Sequence, residues 1–270
     1  MDSPVETVVG TRVKQELENG VLRLKLAAPP ANALSIAMMA ELSDALVAAA
    51  ESAEVRVIIL AAEGKVFCAG HDLKEMTAHR SDEDGGRDFF SKTMGYCATL
   101  MQQIIRHPKI IIAEVHALAT AAGCQLVASC DLAVAADNAG FCTPGVNIGL
   151  FCSTPMVALS RNVGRKHAME MLVTGDTVSA QDALRIGLVN RVVPLDKLRA
   201  EASALAVRIA SKSARTLKTG KEAFYLQAEM GLAEAYDYTA GIMVENMLYD
   251  DACEGISAFI EKRHPHWKDS

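Results

Sequence analysis

The run Lys109-Ile110-Ile111-Ile112-Ala113-Glu114-Val115-His116 leads through Ala117-Leu118-Ala119-Thr120-Ala121-Ala122-Gly123 into Cys124-Gln125-Leu126-Val127-Ala128-Ser129-Cys130. Three β-branched residues in succession predict a strand buried on both faces. The small residues after it predict a tight bend, and the apolar run beyond predicts a helix. A bend of small residues that opens a helix leaves backbone N–H groups without partners, and the helix dipole favours negative charge there.

Working towards the N-terminus, Val55–Ala61 is a second buried strand of the same kind. A helix is predicted from about 88 to 106 between the two strands. Thr77–Arg87 is polar, contains Asp84-Gly85-Gly86, and is expected to be a mobile loop. Further back, Arg12–Leu17 and Val21–Leu26 alternate around Glu18-Asn19-Gly20 and predict a hairpin. Pro29-Pro30 forces an extended loop, and Ser35 is an N-cap for a helix over 36–52. Strand, turn, strand and helix recur, so an α/β domain of stacked units is expected. Beyond Pro194 the strand signal ends. Leu195–Ser211, Ser213–Met230 and Leu232–Leu248 read as amphipathic helices. The expected division is therefore a core over 1–194 and a helical oligomerisation region over 195–270.

Composition narrows the function classes. Half of the 270 residues are hydrophobic, enough to bury a core without disulfide or metal staples. A net charge of −6 gives no general attraction to phosphate backbones, so no nucleic-acid partner is expected. No run approaches the roughly 18 apolar residues of a membrane span. The seven cysteines, at 68, 97, 124, 130, 142, 152 and 253, form neither a disulfide framework nor a C-x-x-C zinc pattern, and suit a reducing compartment. The first residues, Met1-Asp2-Ser3-Pro4-Val5-Glu6, resemble neither a secretory signal nor an Arg/Ser-rich transit peptide. A cytoplasmic location is expected, or a mitochondrial one if a transit peptide has been removed. Phosphate-binding glycine loops, H-E-x-x-H and G-x-S-x-G are all missing. The histidines show no metal-ligand spacing, and His264 and His266 read as solvated. Gly220-Lys221 falls inside a predicted helix, which makes Lys221 a surface lysine.

Two segments stand out: Val66-Phe67-Cys68-Ala69-Gly70-His71-Asp72-Leu73-Lys74-Glu75-Met76, and the bend at 117–123. One N–H from each segment can hold a developing oxyanion. The competing reading is that small residues simply let a helix and a strand pack closely.

Five ordered motifs resemble the crotonase (enoyl-CoA hydratase/isomerase) superfamily. They are the Gly64–Met76 segment, Pro29-Pro30-Ala31-Asn32-Ala33-Leu34, the stretch from Ile111 to Ala133, the stretch from Met169 to Ala183, and Ala258-Phe259-Ile260-Glu261-Lys262-Arg263. The resemblance implies a spiral of ββα units with a C-terminal helical region, assembled as a trimer or a dimer of trimers. It implies an acyl-CoA thioester partner in fatty-acid or related metabolism, coenzyme A being part of the substrate, with no permanently bound cofactor and no metal. The oxyanion hole falls on the N–H groups of Ala69 and Ala122. Ala69, Gly70, His71, Asp72 and Leu73 would line the CoA together with Ala122, Ala31 would lie near its adenine, and Phe259 and Lys262 would reach it from the helical region.

The chain departs from the family where hydratases carry two glutamates. Gln125 stands at the first position and Gly145 at the second. An amide exchanges no proton near neutral pH and glycine has no side chain, so ordinary hydration is not expected. A thioester site that polarises without hydrating and a non-catalytic CoA-ester-binding or regulatory subunit both fit. Ser153 beside Cys152 lies where some relatives place another catalytic group; a buried thiol with a capping serine is the plainer reading. His71 reads as a CoA-lining or structural histidine in preference to a base, Glu114 and His116 as a structural ion pair in preference to a functional one, and Asp131 as a cap for the next turn. The segment around Gly145–Pro155 also resembles a vertebrate subgroup that lacks the glutamate pair.

Overall fold

The computed structural model describes residues 12–270, together with the backbone of 6–9. The hairpin has its expected form. β1 (Glu6–Val9), β2 (Val13–Glu18) and β3 (Val21–Leu26) run antiparallel, with Asn19 and Gly20 both at positive φ in the turn between the last two. α1 (Ile36–Glu51) starts on Ser35, whose hydroxyl accepts from Met38 N–H at 3.1 Å.

β4 (Val57–Ala62) and β5 (Ile110–Val115) then add parallel strands to the hairpin. Between them lie α2 (Leu73–Ala78) and α3 (Arg87–Arg106). β6 (Ala119–Thr120) and α4 (Ala122–Ser129) lead to β7 (Leu132–Ala136) and β8 (Gly140–Cys142). The remaining elements are α5 (Pro155–Asn162), α6 (Arg165–Thr174), β9 (Val178–Ser179), α7 (Ala180–Arg185), β10 (Arg191–Val193), α8 (Leu198–Ala210), α9 (Ala214–Gln227), α10 (Leu232–Met247) and α11 (Asp250–Glu261). The strands make a seven-stranded sheet, β1-β2-β3-β4-β5-β7-β10, and a small sheet, β6-β8-β9. Successive strand–strand–helix units thus wind around one axis, the spiral the motifs imply.

The unbroken apolar runs follow from burial on both faces. In β4, Ile58 and Leu60 enter the main core with α1, α3 and α4, while Val57, Ile59 and Ala61 face a second core built with Leu198, Ala202, Leu205 and Ala206 of α8. α8 is therefore a covering layer of the sheet, and the boundary expected at 195 falls inside the packed core. The sequence reading also stopped one helix short, since α11 follows α10.

Four other expectations change. Residues 77–87 hold the end of α2, a 3-10 turn over His79–Ser81, and a turn into α3 in which the Asp84 carboxylate accepts from Gly86 and Asp88 N–H. Lys221 is buried: its ammonium donates to Asp131 Oδ2 (2.7 Å) and to the carbonyls of Ile104 and Lys109 (3.0 Å each). Asp131 caps no following turn; it accepts from Ile111 N–H and Tyr225 OH as well. Glu114 pairs with buried Arg23, whose other nitrogen donates to Ser203, and His116 turns instead to the Gly64 carbonyl.

Candidate functional site

The two unusual segments lie side by side. Phe67 N–H donates to Leu118 O, and Thr120 N–H donates to Cys68 O, both at 3.0 Å, so 67–68 runs parallel to 118–120. Behind this join sits Gly123 in the first turn of α4. A Cβ there would overlap the Cys68 carbonyl oxygen and lie 2.8 Å from Cys68 Cβ, so only glycine allows this approach. In front sits Gly70 at φ +83°. Its missing Cβ would stand 3.2 Å from Ala122 N and 2.9 Å from Ala121 Cβ.

Ala121 itself is at φ 51°, a strained conformation for a residue with a side chain, and Ala121 N–H donates to Cys142 O at 2.9 Å. This bend aims the N–H groups at the start of α4 away from the chain. Ala122 N–H has no acceptor among the described residues.

The expected partner donor differs. Ala69 N–H is already committed to the Ala31 carbonyl at 3.0 Å. Two residues on, past Gly70, His71 N–H has no acceptor among the described residues, while the flanking carbonyl of Gly70 accepts from Leu34 N–H at 2.7 Å. The open pair of donors is therefore that of His71 and Ala122. The motif could not reveal this, because the acceptor that occupies Ala69 comes from a loop 38 residues away in sequence.

That loop is held by a residue the sequence reading did not single out. Buried Asn32 accepts from Ala28 N–H at 2.9 Å, and its amide donates to the carbonyls of Glu63 (2.8 Å) and Val66 (2.9 Å). Its place in the Pro29–Leu34 motif was the available signal. Asp72 is occupied as the N-cap of α2, accepting from Lys74 and Glu75 N–H. Leu73 is exposed beside it, and Lys65, in the neighbouring turn, is exposed with no partner among the described residues. Phe259 is 84% exposed, Lys262 ends α11 at φ 57°, and no hydrogen bond ties either side chain to the segments above among the described residues.

The positions of the missing acids are filled in two different ways. Gln125 is buried in α4, and its amide oxygen faces the Cys97 thiol at 3.8 Å. Gly145 lies in the turn after β8, and its Cβ direction is blocked: an added carbon would meet Leu150 O at 2.8 Å and Cys152 Sγ at 2.9 Å. The backbone after Gly149 has folded into the space a side chain would use. Burial raises the Cys152 pKa, and burial pushes Cys68 up to about 12 and Cys97 up to about 11, so these thiols stay protonated. Ser153 is exposed and donates only to the Phe151 carbonyl at 3.3 Å. No histidine or carboxylate reaches its hydroxyl among the described residues. No group of three or more His, Cys, Asp or Glu side chains suited to a metal occurs among the described residues.

Comparison with known proteins gives the family of the chain. The sequence profile described as Enoyl-CoA hydratase/isomerase matches residues 16–270. The chain is 49% identical to the rat protein named enoyl-CoA hydratase domain-containing protein 3, mitochondrial, over 93% of this chain and 82% of the relative. It superposes on the crystal structure of an enoyl-CoA hydratase from Mycobacterium smegmatis with a TM-score of 0.88 at 49% identity, covering 98% of this chain and 99% of that one. The crystal structure of human enoyl-CoA hydratase domain-containing protein 3 gives a TM-score of 0.90 at 47% identity, covering 95% of this chain and all of the other.

Proposed function

Because the chain belongs to the enoyl-CoA hydratase/isomerase family and groups with the domain-containing protein 3 relatives, we propose that it binds acyl-CoA thioesters through the N–H groups of His71 and Ala122. The observation that carries this reading is the pair of open donors brought together by Gly70 and Gly123, neither of which tolerates a side chain. Such donors are fixed by the backbone before substrate arrives, so they stabilise charge on the thioester oxygen without reorganising. Ala31, Gly70 and Leu73 border the CoA, with Ala69 and Asp72 in supporting roles. Lys65 suits a CoA phosphate despite the negative net charge. Phe259 and Lys262 approach from the helical region of an assembled trimer or dimer of trimers.

Ordinary hydration is not part of this function. It needs an acid and a base around one water, each worth roughly 10²–10⁴ in rate, or about 3–5 kcal/mol. Gln125 supplies neither, and Gly145 leaves no room for either. A second reading, a non-catalytic CoA-ester-binding subunit, is favoured by that filled space. The relatives' names say mitochondrial, and the seven unpaired thiols suit any reducing interior, cytoplasmic or mitochondrial.

The test separates binding from turnover. Calorimetry should show micromolar-range binding of acetyl- or crotonyl-CoA, and difference Raman should show the thioester C=O stretch moving to lower frequency in the complex. An unshifted stretch would sink the oxyanion-hole assignment. Hydration of crotonyl-CoA at the rate of two-glutamate relatives would sink the claim about Gln125 and Gly145.

A further inference from the structure

Among the described residues two buried side-chain nitrogens have no hydrogen-bond partner, His116 Nδ1 and His71 Nε2. The first belongs to a ring anchored on the Gly64 carbonyl. The second belongs to the residue whose own N–H is one of the open donors. His71 Nδ1 lies 3.4 Å from the Leu34 carbonyl oxygen, which can only accept. The hydrogen therefore sits on Nδ1, and Nε2 presents a bare lone pair. Burial, the leading influence on this imidazole, holds its pKa below the ordinary histidine value, so the ring is neutral at pH 7.

A buried lone pair without a donor costs free energy unless a ligand supplies one. A thioester whose oxygen is held by the two N–H groups offers an acidic hydrogen on its α-carbon. The groups that would ordinarily receive it are missing at 125 and 145, and the nearby buried thiols are protonated, hence poor acceptors. We propose that His71 Nε2 is the base that takes the α-proton of the bound acyl-CoA. This rests on the thioester reading above.

In the step, the α C–H bond breaks and its proton forms an N–H bond at His71 Nε2. The released pair makes the enolate C=C bond, and the carbonyl π pair moves onto the oxygen held by His71 N–H and Ala122 N–H. Return of a proton from Nε2 to carbon regenerates the thioester, and exchange of that proton with solvent leaves a label. No oxidant or other reactant is needed.

The experiment incubates the full chain with propionyl-CoA in D2O and follows loss of the α-hydrogens by NMR, with binding measured separately by calorimetry. The wild-type protein is expected to exchange them well above the protein-free rate. His71→Gln, compared with the wild type at saturating propionyl-CoA, is expected to slow exchange by about 10²–10⁴. Failure of the wild type to bind the thioester overturns the reading of the site. Binding without exchange, or exchange that survives His71→Gln, overturns the role of His71 and leaves that reading intact. If the variant does not fold, 15N-histidine spectra of the wild type decide instead: the His71 Nε2 resonance is expected to have the unprotonated shift and to move on adding propionyl-CoA. A protonated or unmoved resonance overturns the proposal.

Discussion

Gly123 and Gly145 are both small residues hemmed in by backbone, yet they do opposite things to the site. Gly123 lets α4 press against Cys68 and so sets the spacing of the two open N–H groups. Gly123→Ala is expected to cost about 1–3 kcal/mol in urea unfolding, as overpacking does, and to weaken acetyl-CoA binding at least tenfold (about 1.4 kcal/mol). Retained affinity in a folded variant would show that the spacing is not what binds. Gly145 instead marks a space already filled by Leu150 O and Cys152 Sγ. Gln125→Glu is a near-isosteric change and is expected to fold and raise crotonyl-CoA hydration by up to about 10². Gly145→Glu is expected to lower the unfolding midpoint and add no hydration, because the loop must move to admit the side chain. A stable, active Gly145→Glu variant would contradict the filled space. The sequence showed which acids are missing and which two segments meet. It could not show that Ala69 N–H is committed to Ala31, which depends on a contact between distant loops, or that Leu150 has taken the carboxylate's place, which depends on how the turn after Gly149 folds back on Gly145.

At the scale of elements, helix and strand spacing were legible wherever periodicity followed burial, as in the hairpin, α1, α3, β4 and β5. The reading failed where a polar residue turns inward. Lys221 repeats with the polar face of α9 but reaches Asp131, the Ile104 carbonyl of α3 and the Lys109 carbonyl just before β5. Lys221→Met leaves Asp131 a buried carboxylate without its cation, and is expected to destabilise by about 3–5 kcal/mol in chemical denaturation. A loss below about 1 kcal/mol would mean that Tyr225 and Ile111 N–H suffice. His107, just past α3, is a second inward polar residue: Nδ1 accepts from Lys109 N–H at 3.1 Å and Nε2 donates to Leu46 O of α1 at 3.0 Å. Both ring nitrogens are occupied in the neutral form, and burial lowers the pKa. The folded chain therefore binds fewer protons than the unfolded one below about pH 6.5. Stability from this contact is complete above that pH and is lost as pH falls through and below it. His71 adds the same sign. The expected result is a urea midpoint that drops between pH 7 and pH 5.5, with a shallower drop in His107→Gln.

At the scale of the whole molecule, the single chain leaves too much apolar surface on its last helices. Leu232, Tyr236, Leu248 and Ile260 are each more than 70% exposed, and Phe259 is 84% exposed. Scattered apolar side chains on a surface are ordinary, but this concentration on α10 and α11 is the pattern expected of a subunit interface. The layer is nonetheless tied firmly to its own core. Trp267 donates to Ser211 O at 2.8 Å, Asp269 takes two hydrogen bonds from Arg56 beside β4, and Asp251 accepts from Lys268 and Asp269 N–H. A face that is rigidly presented and apolar associates with little ordering cost. The protein is therefore expected to sediment at about three or six times its 28.9 kDa chain mass, as the family resemblance implies. Leu232→Asp with Leu248→Asp should shift that mass towards the monomer, because each places a charge where the interface would desolvate it. The strap through Arg56 and Asp269 is untouched by these changes, so circular dichroism should report an intact fold. A wild-type protein that sediments as a monomer at micromolar concentration would leave Phe259 and Lys262 with no neighbouring site to complete, and would confine CoA binding to the segments around Gly70 and Ala122.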